Sequence, residues 1–149
     1  PTVNDAVGGV TVTVLDEFQD SDTLVKGETV KLMGQESLNY VRGRHGAGDQ
    51  TNISRMKRQE QYMSALIERL IAAAKEDPDL LTKLTLSLGD AFQSDYTVSQ
   101  LQKLADRLME AKIEDFVTIE GEAKVGTEFM EFYPDQAALE KTIDEVFYQ

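Results

Sequence analysis

The feature that most limits what this chain can become is the stretch 53–75, where Met56, Met63, Leu66, Ile67, Leu70, Ile71 and Ala74 recur at helical spacing. A strand would need alternation by twos, so the spacing predicts a long helix with one apolar side. Asp77-Pro78 ends it, because proline disfavours the helical conformation in the residue before it. Around this helix the pattern changes. Val10-Thr11-Val12-Thr13-Val14 alternates as a half-buried strand does, directly after Gly8-Gly9. The polar stretch that follows carries turn residues and a short extended piece near 29–32. Gly34-Gln35-Glu36-Ser37 then opens a short helix with Leu38 and Val41 inward, which runs out at Gly43. Downstream, helices are expected over 79–92 and 99–112. Thr97 or Ser99 caps the second, with Leu101, Leu104, Ala105, Leu108 and Met109 on one side. Strands are expected at 116–120 and 128–133, and a last helix at 135–147.

With 149 residues and 41% hydrophobic content, the chain is large enough to bury one core. Having no cysteine excludes a disulfide framework and a thiolate metal site, but it assigns no compartment. No apolar run approaches the ~18 residues of a membrane span. The first residues lack the basic start and apolar block of a signal peptide. A strand so close to Pro1 leads us to expect an excised segment of a longer protein.

A net charge of -12 opposes general binding of nucleic acid or anionic lipid by the whole surface. The distribution says more. Arg42, Arg44, Arg55, Lys57 and Arg58 face one acid, Asp49, within 42–58, so that window is +4 and the rest of the chain -16. Solubility is already supplied by the acidic remainder, and the basic island reads as an anion site.

On the long helix, Arg55, Arg58 and Gln59 fall within about one third of the circumference, beside Met56, Met63 and Leu66. If the Arg42-Gly43-Arg44 turn packs back on the helix start, several guanidinium groups converge where free N–H groups already favour an anion. Arginine suits phosphate because its fork donates in parallel and stays charged. Cations in a first helical turn are unfavourable by about 0.3–1 kcal/mol each, so clustering there makes most sense with a counter-anion. The competing reading, a solvated face, stays open for each arginine taken alone. His45 reads as a loop residue before it reads as a general base. Asp49 and Asn52 read as loop and helix caps, with Asn52 the expected N-cap of the long helix. The methionine stripe reads as core before it reads as a lipid groove.

Tyr40-Val41-Arg42-Gly43-Arg44, a glycine-rich loop with Asp49, and Arg55-Met56-Lys57-Arg58-Gln59 together resemble the Y-V-R-x-R and D-x-x-R-x-x-R-Q pattern of the LytR-CpsA-Psr family. Gly8-Gly9 with its strand and the closing 133–147 segment are similar to the same family, so the likeness runs through essentially the whole chain. Asn52 stands where the family commonly has aspartate. The resemblance implies an α/β/α sandwich with a central mixed sheet flanked by helices, of which 1–149 is the C-terminal segment of one catalytic domain, without its N-terminal half and membrane anchor. It implies a phosphotransferase that moves a glycopolymer from a polyprenyl-pyrophosphate carrier to peptidoglycan or another envelope acceptor, with a pyrophosphatase side activity. The expected location is the outer face of the cytoplasmic membrane. Under it, Arg42, Arg44 and Arg55 are catalytic, Gln59, Arg58, Asp49 and Asn52 bind substrate, and Mg2+ is held mainly by ligands outside this chain. The missing half also leads us to expect an exposed edge that favours dimerisation or strand exchange.

Two other classes compete. A non-catalytic envelope scaffold fits Asn52 and the missing half. A small nucleic-acid-binding module would use the basic patch, but no tryptophan is present and that loop has no aromatic residue, so no nucleic-acid partner is expected.

Overall fold

The alternation at the start of the chain becomes a β-hairpin. In the computed structural model, which describes residues 2–89, 93–110 and 116–148, β1 (Val10–Thr13) pairs antiparallel with β2 (Thr29–Leu32), Val10 opposite Leu32 and Val12 opposite Val30. Val10, Val12 and Val14 are buried while Thr11 and Thr13 face out, as period-two patterning requires. The chain divides into two compact units, Pro1–Ile113 and Glu114–Gln149.

In the first unit the hairpin is covered by α2 (Gly34–Arg42) and α3 (Asn52–Glu76). Tyr40 from α2 and Tyr62 from α3 join the valines, Leu24 and Leu32 in one apolar cluster. A side chain of that kind contributes roughly 1.5–3 kcal/mol when fully buried. A second cluster forms where the last turns of α3, Ala73 and Ala74, meet Val7 and the Leu80 and Leu84 side chains of α4 (Leu80–Leu88). Met109 of α5 (Val98–Glu110) packs against the same cluster. Helices were expected to extend over 90–92 and 111–112, which lie outside the described residues, as do the side chains of Ala105 and Leu108.

An additional short helix, α1 (Thr2–Ala6), has no periodicity to announce it and is held by its polar side chains. Buried Asn4 donates to the Leu32 carbonyl at 3.1 Å and accepts from the Tyr62 hydroxyl at 2.9 Å. Asp5 accepts from the Gly34 N–H at 2.7 Å. The Gly8-Gly9 pair that follows turns the chain with φ of 82° and 88°, and a Cβ on Gly9 would lie 2.9 Å from the Leu32 carbonyl oxygen.

The second unit is a hairpin and a helix. β3 (Gly121–Val125) pairs antiparallel with β4 (Met130–Pro134), and α6 (Gln136–Phe147) begins at Asp135, whose side chain accepts from the Ala138 N–H at 2.9 Å. The expected strand at 116–120 is displaced: those residues have no regular structure and the strand begins at Gly121. Turn geometry explains this. Gly126 N–H bonds the Phe129 carbonyl at 2.8 Å, which closes the hairpin there, and Gly121 is opposite Pro134, where the partner strand ends and the helix cap begins. One further bond of the same register follows, the Asp135 N–H donating to the Glu120 carbonyl at 2.8 Å, before α6 begins at Gln136. Val125, Phe129, Phe132 and Tyr133 are exposed.

The long helix starts one residue earlier than the sequence pattern places it. Its N-cap is Thr51, whose hydroxyl accepts from Ser54 N–H at 3.1 Å, and Asn52 is already helical. Thr51 has the extended backbone that a cap needs, and Asp49 fixes it by accepting from both the Thr51 N–H (2.9 Å) and its hydroxyl (2.7 Å). We therefore expect Thr51→Ala to lower the unfolding free energy of the chain by about 0.5–2 kcal/mol in urea titration, and Asn52→Ala to lower it less.

Candidate functional site

The basic segment is assembled around one buried side chain. Arg58 is 0% exposed, and every nitrogen of its guanidinium group donates to protein. Its Nε meets the Tyr40 carbonyl at 3.0 Å and Nη1 meets Ser54 Oγ at 2.9 Å and the Asp16 carboxylate. Nη2 meets the Gly43 carbonyl. Ser54 in turn donates to Asp16 at 2.9 Å. Arg58 thus satisfies carbonyls at the end of α2 that have no helical partner, and it fastens them to the first turns of α3 and to the segment after β1. The guanidinium also lies 5.3 Å from the Phe18 ring centroid, and Phe18 stacks on Tyr40 at 5.8 Å.

This latch brings the Arg42-Gly43-Arg44 turn against the start of α3. Gln59, the residue after Arg58, repeats the connection, its Nε2 donating to the Val41 carbonyl at 3.0 Å. The following loop is held from the other side, where Gln19 N–H bonds the Gly46 carbonyl and Gly48 N–H bonds the Glu17 carbonyl, both at 2.8 Å. Gly48 must be glycine: its φ is +55° and a Cβ would fall 2.8 Å from Ser54 Oγ and 2.7 Å from Asp16 Cγ.

The side chains expected at the site have separate fates. Arg42 and Arg44 are exposed, and their side chains have no hydrogen bond or ion pair among the described residues. Arg55 is half-buried; its Nη2 donates to the Asn52 Oδ1, while its Nε is buried without a hydrogen-bond partner. No acidic residue occupies the first turn of α3. Arg58, expected among the substrate-binding residues, is fully buried, and each of its three guanidinium nitrogens donates within the protein, so here it serves the scaffold. Asp49 is committed to Thr51, whose side chain and then backbone N–H hold its carboxyl below the ordinary 3.8. The stability that this turn gains is complete above pH 3.8 and is lost as the pH falls through the lowered value. His45 is exposed. Met56 and Met63, expected in the core, are instead exposed at 39% and 43%, because the inward face of α3 is taken by Ser54, Arg58 and Tyr62, whereas Leu66 turns inward.

Two cavities flank α2. The polar one, about 470 Å³, includes Arg42 and His45 in its lining; Arg44, Arg55 and Gln59 do not line it. The other, about 330 Å³, is lined mainly by apolar groups, among them Val3, Val41, Tyr62, Leu66 and Leu88. Leu38 lines both. Among the described residues no three histidine, aspartate or glutamate side chains come together as a metal cage would need. Also among them, no helix is long and apolar enough to cross a membrane.

Asp16 and Ser54 were not visible as site residues in the sequence, and Tyr40 and Gly48 stood in the motif and its loop without an assigned role. One signal was available: Ser54, Arg58, Tyr62 and Ala65 fall at helical spacing on the face opposite Ile53 and Met56. That pattern places Arg58 inward and calls for a buried acid partner.

Comparison with known proteins identifies the fold. The LytR_cpsA_psr family profile matches residues 2–147, and the chain belongs to that family. Its fold is similar to the Lin1025 protein of Listeria innocua (TM-score 0.66, 25% identity, 97% of this chain and 62% of that one). It is similar also to TagV of B. subtilis (0.66, 27%, 97% and 58%). Protein gbs0355 of Streptococcus agalactiae shares the fold at 19% identity (0.75, 97% and 52%). The chain thus spans between 52% and 62% of the length of these structures. None of the curated proteins matches it significantly.

Removing the latch exposes its worth. Arg58→Ala leaves Asp16 without its cation and the Gly43 carbonyl without its donor, and we expect a loss of about 3–5 kcal/mol in urea unfolding. Arg58→Lys should recover less than half of it, because one ammonium cannot reproduce the planar fork that reaches Tyr40, Asp16 and Gly43 at once. Equal stability of wild type and Arg58→Ala would show that the latch contributes nothing.

Proposed function

We propose that this chain supplies the phosphate-binding arginines of a cell-envelope phosphotransferase, one that moves a glycopolymer from a polyprenyl-pyrophosphate carrier to peptidoglycan or another envelope acceptor. The observation that carries the reading is the state of the three arginines. Arg42 and Arg44 are without partners among the described residues, and Arg55 has a buried, unbonded Nε at a helix start with no acid in its first turn. A buried donor without an acceptor costs about 1–3 kcal/mol, and a phosphate oxygen would remove that cost. Membership of the LytR_cpsA_psr family supports the same chemistry.

In this scheme Arg42, Arg44 and Arg55 hold the pyrophosphate and stabilise the charge that develops as the anhydride P–O bond breaks and the acceptor hydroxyl bonds to phosphorus. Gln59 sets the distance between α3 and the end of α2, and Asn52 orients Arg55 through its Oδ1. Asp49 holds the loop. The apolar cavity behind α2 offers the carrier's hydrocarbon tail a place. Magnesium enters only as an ion held by groups outside 1–149. The protein acts at the outer face of the cytoplasmic membrane, with membrane contact through an anchor outside these residues. The exposed Phe129, Phe132 and Val125 of the second unit favour self-association of the isolated chain, which light scattering would report as dimer at high concentration.

The arginine assignment has a direct test. Arg55→Ala should weaken binding of a polyprenyl pyrophosphate by about 1.5–3 kcal/mol in calorimetry, the range for a hydrogen bond to a charged group. Lys57→Ala, on the same turn, should have a much smaller effect; equal losses would reduce the cluster to diffuse positive charge. In the full-length protein, a triple Arg42, Arg44, Arg55 to alanine variant that still transfers glycan at the wild-type rate would sink the mechanism.

A further inference from the structure

We propose that Asn52 is a specificity-determining residue of the arginine site: it holds Arg55 through a neutral amide, so the site favours a doubly charged diphosphate over a singly charged phosphodiester. The inference rests on the reading of Arg55 as a phosphate ligand, and it concerns the one side-chain hydrogen bond that Arg55 makes among the described residues. Arg55 Nη2 donates to the Asn52 side chain. A guanidinium group has only donors, so the amide atom that meets it is the oxygen, and the amide N–H groups remain for an anion. Nη2 carries a second N–H as well, and Nε is buried with no acceptor. The amide thus fixes the guanidinium by one bond and leaves donors free.

Stability does not account for an amide at this position. Thr51 caps α3, and Asn52 is the first helical residue and exposed. There the helix dipole favours a carboxylate over an amide, and a carboxylate would pair with Arg55 more strongly than the amide does. Aspartate has nearly the same shape, and the chain has 27 acidic residues, yet the first turn of α3 contains none. The two carboxylates of the surrounding network are committed elsewhere, Asp16 to Arg58 and Ser54, Asp49 to Thr51. Arg55 has no ion pair among the described residues.

What neutrality changes is the charge that the site presents. An aspartate at position 52 would cancel the Arg55 charge before a ligand arrives, and a bound phosphate would then face a carboxylate across the guanidinium. Coulombic repulsion grows in proportion to ligand charge, so a diphosphate would lose about twice the free energy that a phosphodiester loses. The proposed transfer converts the first into the second: the anhydride is consumed, and the glycan leaves as a phosphodiester of its acceptor. A neutral residue at position 52 therefore strengthens the hold on the reactant more than the hold on the product.

The test compares Asn52→Asp and Asn52→Ala with the wild-type chain in NMR titrations with inorganic pyrophosphate and, separately, dimethyl phosphate, alongside a melting curve for each variant. Asn52→Asp should weaken pyrophosphate by about tenfold and dimethyl phosphate by about threefold, while melting at or above the wild-type temperature. Asn52→Ala, which frees Arg55 but leaves its charge, should weaken both ligands alike by about threefold, the cost of ordering one side chain. Equal losses of the two ligands in Asn52→Asp, or losses that follow the melting temperature, would mark a structural role and overturn the inference. So would an Asn52→Asp chain that binds both ligands as the wild type does. Where Arg55→Ala still weakens pyrophosphate alongside such a result, the arginine reading stands. Arg55→Ala without effect on pyrophosphate overturns that reading, and this inference with it.

Discussion

A guanidinium group sealed from water needs acceptors around it, and in this chain that requirement organises the first unit. Arg58 reaches the segment after β1 through Asp16, the end of α2 through the Tyr40 and Gly43 carbonyls, and its own helix through Ser54. Ser54 is a turn away on the same helix, but Asp16, Tyr40 and Gly43 are distant in sequence, so those bonds hold segments that the chain alone does not bring together. The cost of desolvating the ion pair is large, and replacing it with well-packed apolar groups is often neutral or stabilising elsewhere. What an apolar replacement could not do is tie two carbonyls at the end of one helix to the start of another. The turn that carries Arg42 and Arg44 hangs from that connection.

How much of this the sequence reveals depends on whether the controlling signal is local. The hairpin of β1 and β2, α2, and α3 with its stop at Asp77-Pro78 follow from apolar period and turn residues within each segment, and they are found where those signals put them. The strand expected at 116–120 fails because register is set by the turn at Gly126 and the partner strand gives way at Asp135 to the cap of α6, and the apolar look of Phe116 to Ile119 carries no information about pairing. The short α1 is invisible for a related reason: Asn4 and Asp5 hold it through bonds to Leu32 and Gly34, residues far along the chain.

The site divides along the same line. That the basic island is special follows from its contrast with an otherwise acidic chain. Which arginine is exposed and which is structural does not, because Arg55 and Arg58 sit a turn apart in one motif and differ only in the direction each faces. Cap identity shows the finer limit. Thr51 and Asn52 are both good capping residues, and Asp49, by gripping Thr51, decides between them.

The placement of Leu38 has a mechanical consequence. One short helix serves as the partition between a polar chamber and an oily one, and this residue faces both. A partition cannot yield to one side without intruding on the other. Val41 and Leu66 line the apolar chamber and Arg42 the polar one, so the width of α2 and the bulk of Leu38 fix the size of both spaces at once, and a substitution at Leu38 alters the lining of each.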